Sequence, residues 1–375
     1  MNKCSAVAKI VMIFFLINSA TVFSQNYKTK TFKVNKNGHL LVDLSYGDIS
    51  IKTWNKNEVL VRYDDDYDED EDGLLVKFAG NHVRIRSNNS NYSDVEVTVP
   101  SYFYVEMSTQ AGDLTVKGSF VGSLKGVTSG GDISIEKVSG YTDLHTYGGD
   151  VTAEEIKGEM KILTYGGDLH LSNIDGNGTV STSGGNIRIN NVSKSIAINT
   201  AGGNIVVDEI NGKVKLNTGG GNISIKNVNG DATLNTGGGN IKSLQVKGRI
   251  EASTGAGSVY LYKVDGSVKA ISGSGDIHIE LQNINSESRA KTNNGNIKLY
   301  IAENEKITVE VRIRGFGKHS SYDETDFIRY DLTPTSKSVN KNNDNIKATY
   351  SFNGGGRKIF LDTSYGEIEI KRLDK

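Results

Sequence analysis

Cysteine, proline and net charge are all nearly absent from this chain. Its 375 residues include one cysteine and two prolines, and 43 basic residues balance 44 acidic ones. The lack of proline excludes collagen and proline-rich linkers. A formal charge of −1 gives no overall field that would draw the protein onto nucleic acid or an anionic membrane.

The first 24 residues have the order of a secretory signal peptide. Lys3 and Lys9 precede the apolar run of residues 10–17, which is too short to span a bilayer, and small residues follow it. Cys4 lies in this segment, so we expect a mature chain without thiol chemistry. No later apolar stretch reaches the length of a transmembrane segment, and the sequence therefore predicts a protein of the cell envelope or exterior.

The most informative feature that is present is a repeat of 18 residues. A polar residue after a glycine recurs at this spacing nine times, as Asp132, Asp150, Asp168, Asn186, Asn204, Asn222, Asn240, Ser258 and Asp276. Asp113 precedes the series by 19 residues and Asn296 follows it by 20. Eleven units between about 109 and 300 predict an array of stacked coils.

Each unit has the pattern of short strands. In residues 219–236, Gly-Asn and Gly-Asp turns are each followed by an alternating apolar and polar run, which is typical of strands and excludes helix. The apolar positions form columns, one of which runs from Ile133 to Ile277. The sequence therefore predicts an all-β, single-stranded parallel β-helix, or β-solenoid, with 18 residues per turn and a core built from these columns.

Polar columns are expected to run beside the core. A threonine column from Thr146 to Thr254 predicts hydroxyls that donate from one coil to the next, and Asn186 to Asn240 predict an amide ladder. The glycines of the turns indicate either a positive φ or a close approach of two backbones.

The sequence divides into four segments. Residues 1–24 form the signal peptide, 25–108 an N-terminal β cap, 109–300 the solenoid, and 301–375 a polar insert and C-terminal β cap. The end segments each carry one copy of the repeat pattern, SYGDISI at 45–51 and SYGEIEI at 364–370. Irregular β caps are expected because a bare solenoid end would expose strand edges and core.

With these two motifs, the GGD and GGN turns and the VTVP segment of 97–100, the chain resembles the DUF4097 type of adhesin-like proteins, which are secreted. The resemblance covers nearly all of the mature chain and implies a right-handed β-helix-like fold and a role in adhesion. It supplies no catalytic motif.

An acidic run at residues 64–72 is the strongest local signal for a metal. Asp68, Asp70 and Asp72 match the first half of a calcium loop, D-x-D-x-D-G, but Ala79 stands where the bidentate glutamate is expected. They are calcium candidates, with a solvated loop as the alternative. Asp132, Asp150 and Asp168 are interpreted as turn residues, because the calcium-binding nonapeptide pattern is not met.

Tyr147 and Tyr165 occupy one column on adjacent coils and are candidates for stacking on a sugar ring. Ordinary ladder stacking is the alternative interpretation. His170 and His278 share a column but are six coils apart, and no nucleophile, zinc or phosphate motif is visible. The sequence therefore favours a surface protein that binds carbohydrate or protein, without enzymatic activity or a required cofactor. A polysaccharide-active enzyme and an envelope scaffolding or stress protein remain alternatives.

Overall fold

A computed structural model describes residues 27–64, 74–87, 94–315, 323–342 and 344–373. The predicted signal peptide lies outside the described residues. Within the described ranges, the structure is all-β apart from one turn of 3-10 helix at Glu324–Asp326. This part of the chain contains no helix with the length and hydrophobicity of a membrane span.

The strands fall into three groups along the chain. The first group consists of β1 (Tyr27–Lys33), β2 (Gly38–Asp43), β3 (Ile49–Trp54), β4 (Glu58–Asp64), β5 (Leu74–Ala79), β6 (His82–Ser87), β7 (Val95–Pro100) and β8 (Phe103–Thr109). The second consists of β9 (Leu114–Lys117), β10 (Phe120–Val121), β11 (Leu124–Thr128), β12 (Ile133–Glu136), β13 (Val138–Ser139), β14 (Thr142–Thr146), β15 (Val151–Lys157), β16 (Met160–Leu163), β17 (Leu169–Asp175), β18 (Gly178–Thr182), β19 (Ile187–Val192), β20 (Ile196–Thr200), β21 (Ile205–Asn211), β22 (Val214–Thr218), β23 (Ile223–Asn229), β24 (Ala232–Thr236), β25 (Ile241–Ser243), β26 (Val246–Thr254), β27 (Val259–Ser272), β28 (Ile277–Ile284), β29 (Ser288–Thr292) and β30 (Ile297–Ile301). The third consists of β31 (Ile307–Arg314), β32 (Ile328–Tyr330), β33 (Ser336–Asn342), β34 (Asn345–Phe352), β35 (Arg357–Ser364) and β36 (Ile368–Arg372).

The middle group is a parallel β-solenoid of about eleven coils, as the repeat period predicts. Ile205 pairs with Ile223, and Val214 pairs with Ala232, in register and in parallel. Residues one period apart therefore lie one strand spacing apart, about 4.8 Å. The eleven coils make a rod roughly 50 Å long.

Each coil contributes a strand to two faces. Face A contains the strands that follow the Asp or Asn turn, such as β21 and β23, and face B contains those that end at the threonine column, such as β22 and β24. The apolar columns point between the faces, where Ile205, Ile223 and Leu234 are buried. A column that the sequence did not single out, including Met160, Ile196, Val214 and Ile250, completes this core.

In seven coils, a residue in the left-handed conformation makes the corner within the face A segment. None of these seven residues is a glycine, and their φ angles lie between 52° and 58°; they are Lys137, Glu155, Asn173, Asn191, Glu209, Asn227 and Lys263. Asparagine adopts this conformation readily, whereas lysine and glutamate do so less often. Because the column mixes these three residue types, the sequence pattern did not predict the corner.

The turns are held by the threonine column, in a geometry that differs from the prediction. The hydroxyls do not donate to one another. Each donates instead to a glycine carbonyl of the preceding coil, as Thr218 does to Gly203 at 2.8 Å, and accepts the N–H of its own turn, as Thr218 does from Gly221 at 3.1 Å. One buried hydroxyl thereby satisfies two backbone groups that the tight turn leaves unpaired.

The Asp and Asn column forms a second ladder that runs the length of the rod. Each side-chain oxygen accepts the backbone N–H of the equivalent residue one coil further on, at 2.6–3.0 Å wherever the acceptor is Asp or Asn. Amide-to-amide bonds also join Asn204 to Asn186 and Asn222 to Asn204. An acceptor on a short side chain is what this column requires, which explains why both Asp and Asn occur in it.

The glycine before this column permits close approach of two backbones. A Cβ on Gly221 would lie 2.0 Å from the carbonyl oxygen of Gly203, and the other turn glycines of the column are similarly close to their neighbours. Of the two explanations that the sequence allowed for these glycines, close backbone approach applies, and most of them do not have a positive φ. Positive φ is found chiefly in a different column of glycines, for example at Gly230, where φ is 150°.

The stack continues beyond residues 109–300 at both ends. In face A, β3 pairs with β9 and β36 pairs with β30, both in parallel. The two end copies of the repeat therefore lie directly on the array, although 65 residues separate Asp48 from Asp113 and 71 separate Asn296 from Glu367. Face B is extended by β8 and β2 at one end and by β35 and β31 at the other.

Antiparallel strands terminate the stack, except on face A at the C-terminal end, where the short strand β32 pairs with β36 in parallel. At the N-terminal end, β4 and β1 cover face A and β5 pairs with β6 on face B. At the C-terminal end, β34 pairs with β31 and β33 pairs with β34. A further coil would need parallel strands on which to continue the columns, and antiparallel strands do not provide them. These strands therefore close the two ends of the core.

Candidate functional site

Tyr147 and Tyr165 form an exposed aromatic pair on the turns that follow face B. Their rings are stacked, with centroids 5.1 Å apart and planes 9° from parallel. Tyr147 is 51% exposed and Tyr165 is 46% exposed. The main chain fixes both turns, since Gly166 N–H donates to the Tyr147 carbonyl at 2.9 Å and Gly184 N–H donates to that of Tyr165 at 3.0 Å.

His145 extends this pair into a larger aromatic surface. Its ring stacks on Tyr147 with centroids 4.8 Å apart and lies 5.7 Å from Tyr165. Its Nε2 is buried without a hydrogen-bond partner among the described residues. Val127 pairs with His145 from the preceding coil and is exposed as well. We call Tyr147, Tyr165 and His145 the tyrosine platform.

The sequence did not identify His145 as part of this site. It lies on strand β14, two residues before Tyr147, and therefore in a different column. Side chains two apart on a strand project on the same side, and this spacing is the signal by which it could have been found.

The platform is confined to two coils. In later coils, Ser183, Ala201 and Gly219 occupy the same turn position, and glycine follows at 237, 255 and 273. The aromatic surface therefore ends where a strip of nearly bare backbone begins. This makes the platform a local feature and not a ladder that runs the length of the rod.

Carboxylates lie on the same turns as the tyrosines. Asp150 and Asp168 follow Tyr147 and Tyr165 by three residues; Asp150 is exposed and Asp168 is half-buried. One oxygen of each accepts a backbone N–H from the next coil, at 2.7 and 2.6 Å. A carboxylate has further acceptor capacity after one such bond, so the turns combine an aromatic face with acceptors for hydroxyl groups.

The predicted calcium residues Asp68, Asp70 and Asp72 lie outside the described residues. Across the ranges that the structure does describe, no three His, Cys, Asp or Glu side chains come together as a metal site. The aspartates of the repeat are instead accounted for by the ladder, in which each carboxylate receives a charge-assisted hydrogen bond from the backbone.

The histidines that share a column are far apart. His170 and His278 both point outward on face A and are separated by six coils, about 29 Å at the usual strand spacing. His278 instead lies between Tyr262 and Tyr300, with ring centroids at 5.0 and 4.8 Å, and its Nε2 is 3.3 Å from Glu280. This second cluster is half-buried and its rings are tilted, so it presents no exposed parallel stack like the tyrosine platform.

The chain matches the protein family described as Toastrack DUF4097. Two overlapping segments match it, residues 14–208 and 190–371. Together they span almost the whole chain, including the N-terminal strands, the solenoid and the closing strands. Among curated proteins, none matches this chain.

Several solved structures resemble the chain along nearly its whole length. A proposed cell adhesion protein from Clostridium sporogenes ATCC 15579 is 10% identical, with 93% of this chain and 99% of that one covered and a TM-score of 0.15. A proposed adhesin from Bacteroides fragilis NCTC 9343 is 15% identical over 93% and 98% of the two chains, with a TM-score of 0.18. A proposed lipid-binding protein from Parabacteroides distasonis ATCC 8503 is 13% identical over 94% and 98%, with a TM-score of 0.22. At TM-scores this low, these likenesses carry no functional argument.

Proposed function

We propose that this chain, which belongs to the Toastrack DUF4097 family, is an adhesin-like protein of the cell surface or envelope that binds a carbohydrate through the tyrosine platform. A protein partner on the same face is the second candidate. The observation that carries the proposal is the exposed, nearly parallel stacking of Tyr147 on Tyr165.

The chemistry of the platform supports a sugar. Tyr165 is the last ring of the stack, because Ser183 holds the same position in the next coil. An exposed ring at the end of a stack offers an apolar surface for the C–H face of a sugar ring, and tyrosine is enriched at binding sites. Asp150 and Asp168 on the same turns supply acceptors for hydroxyl groups. Because the backbone of both turns is hydrogen-bonded to neighbouring coils, little conformational entropy is lost on binding.

We propose no catalytic role for the platform. Hydrolysis of a glycan requires two carboxyl groups placed on either side of the scissile bond. The aspartates near the tyrosines follow one straight column and each is engaged in the ladder. A polysaccharide-active enzyme is therefore the less supported alternative, as is an envelope scaffold without an external ligand.

The test is a glycan and cell-surface binding screen with the wild-type chain and the double variant Tyr147→Ala/Tyr165→Ala. We expect the wild type to bind and the double variant to lose at least tenfold in affinity. Tyr102→Ala is the matched control, because Tyr102 is 49% exposed but is not part of a ring stack among the described residues. No wild-type binding with or without calcium, or equal loss in the control, would contradict the proposal.

Calcium binding by Asp68, Asp70 and Asp72 stays a prediction. Oxygen ligands of this kind suit Ca²⁺, and an envelope protein meets it. We expect Ca²⁺ to raise the thermal midpoint of the wild type slightly, and not that of the triple Asp→Asn variant. An equal response to Mg²⁺, or none to either ion, would favour a solvated loop.

A further inference from the structure

A groove lined by three cations lies at the C-terminal end of face B. It runs across strands β29, β35, β31 and β34 and has a volume of about 460 Å³. A second groove of about 540 Å³ adjoins it toward β26 and β27, and Arg289 and Phe360 line both. Volumes of this order are typical of ligand sites.

Three cations of the groove have no acidic partner among the described residues. Arg289, Arg312 and Lys347 are exposed, and none of their side chains forms an ion pair or hydrogen bond within the described part of the chain. The two carboxylates of the groove are already engaged. Asp362 pairs with Arg314 at 2.6 Å, and Glu310 pairs with Lys358 at 2.8 Å.

Two of these cations oppose each other. Arg312 and Lys347 are register partners in the antiparallel pair of β31 and β34, so their Cβ atoms lie about 4.5–5.5 Å apart. Like charges placed opposite each other destabilise a sheet. No ion pair with either cation offsets this repulsion among the described residues. Unfavourable local contacts of this kind concentrate at functional sites.

The floor of the groove supplies an apolar surface between the cations. Phe360 is half-buried and lies between Arg289 and Glu310 in the strand register. Arginine binds carboxylate and sulfate groups in a bidentate geometry, while the ring provides a stacking face. A ligand that matches both has anionic groups spaced along a chain of rings with apolar faces.

We propose that this groove binds an acidic glycan, with its carboxylate or sulfate groups on Arg289, Arg312 and Lys347 and a sugar ring on Phe360. The inference rests on the proposed function only in that both sites take a glycan; the residues are different. The chain has no net positive charge, and the three cations occupy one short groove, so the site fits a short acidic segment better than duplex nucleic acid.

The test is titration of the full chain with a galacturonic-acid tetrasaccharide and with its methyl ester, which has nearly the same size but no charge. We expect the acid to bind with an affinity that falls as salt is added, and the ester to bind at least tenfold more weakly. Equal binding of the two sugars, or stronger binding to anionic phosphatidylglycerol vesicles, would overturn the assignment.

The variant Arg312→Gln/Lys347→Gln is expected to lose at least tenfold in affinity for the acid while its thermal midpoint stays the same or rises, because a repulsion is removed. Lys215→Gln is the control, since Lys215 lies in the same outer column as Arg289, four coils away. Phe360→Ala should weaken the sugar but not inorganic sulfate. Unchanged binding of the acid by the double variant would contradict the proposal.

The two binding proposals separate in the same experiment. Tyr147→Ala/Tyr165→Ala should leave the affinity for the acidic tetrasaccharide unchanged, while the groove variant should leave binding at the tyrosine platform unchanged. Each proposal therefore fails separately. Unchanged glycan binding by Tyr147→Ala/Tyr165→Ala in the screen would overturn the platform alone, and unchanged binding of the acid by Arg312→Gln/Lys347→Gln would overturn the groove alone.

Discussion

The middle of the rod and its two ends contain the same hydrogen-bonded ladders, but the paired residues are separated by different lengths of chain. Across residues 132–258 of the middle, paired residues lie one repeat period apart along the chain, as for Ile205 and Ile223. At the ends, the same contacts join Asp48 to Asp113 and Asn296 to Glu367, across 65 and 71 residues. Closing long loops costs more entropy than adding the next coil, so the ends depend more on specific contacts.

The difference also appears in what holds each region together. The middle coils rely on repeated backbone approach, threonine hydroxyls and the Asp and Asn ladder. The C-terminal end has a specific polar cluster in which the buried Tyr350 hydroxyl donates to Glu324, which also pairs with Lys337 at 2.7 Å. Burial and the bond to Glu324 raise the pKa of Tyr350, so the phenol remains a donor. This cluster attaches the 3-10 turn to β34.

The largest effect is expected in the middle, from Gly221→Ala. The new Cβ would lie 2.0 Å from the Gly203 carbonyl oxygen, so two coils would have to separate, at a cost of about 3 kcal/mol or more. Gly220→Ala is the matched control, because its Cβ would have no neighbour closer than 3.9 Å. Denaturant unfolding of both variants measures the difference. Equal stability of the two would show that backbone approach does not limit the stack.

An intermediate effect is expected at the C-terminal end, from Tyr350→Phe. Glu324 is 7% exposed, and its carboxylate loses one of the two partners that the described residues provide. The free energy of unfolding should therefore fall by about 2 kcal/mol. Tyr63→Phe at the N-terminal end is the control, since the buried Tyr63 hydroxyl has no hydrogen-bond partner among the described residues. That variant should be neutral or slightly stabilising. If Tyr350→Phe left the free energy of unfolding unchanged, the cluster would not stabilise the C-terminal end.

The smallest effect is expected from single members of the ladder. Asn204→Ala removes the acceptor for the Asn222 N–H at 2.8 Å, but the site is exposed and water can substitute, so the cost should be about 1 kcal/mol or less. Asn204→Asp keeps the acceptor and should cost less than the alanine variant. Thermal unfolding of the pair decides whether the oxygen, and not the amide, is what the column requires.

The sequence predicts the regular part of the fold because each coil repeats the same local chemistry. A column of apolar residues spaced one period apart cannot be buried unless the coils stack, so period and core follow together. The pairing of β3 with β9 and of β36 with β30 could not be derived in this way, since their separation differs from the period. The SYGDISI and SYGEIEI segments were the available signal that these strands join the stack.

The candidate sites show the same contrast. Tyr147 and Tyr165 were found because they occupy equivalent positions in adjacent coils. Arg289, Arg312 and Lys347 come from three strands outside the regular spacing. The parallel pairing of β35 with both β29 and β31, together with the antiparallel pairing of β34 with β31, brings them into one groove. Charge that is assembled from irregular segments leaves no periodic pattern in the sequence.

Deletion of one whole coil tests the central claim most directly. A variant lacking residues 205–222 joins Asn204 to Ile223 and preserves every column. A variant lacking residues 205–213 joins Asn204 to Val214, so a face B strand follows a turn that normally leads into face A. The account predicts that the first variant keeps a β-sheet circular dichroism spectrum and a cooperative thermal transition, and that the second does not. An unfolded first variant, or equal folding of both, would contradict a stack whose unit is 18 residues.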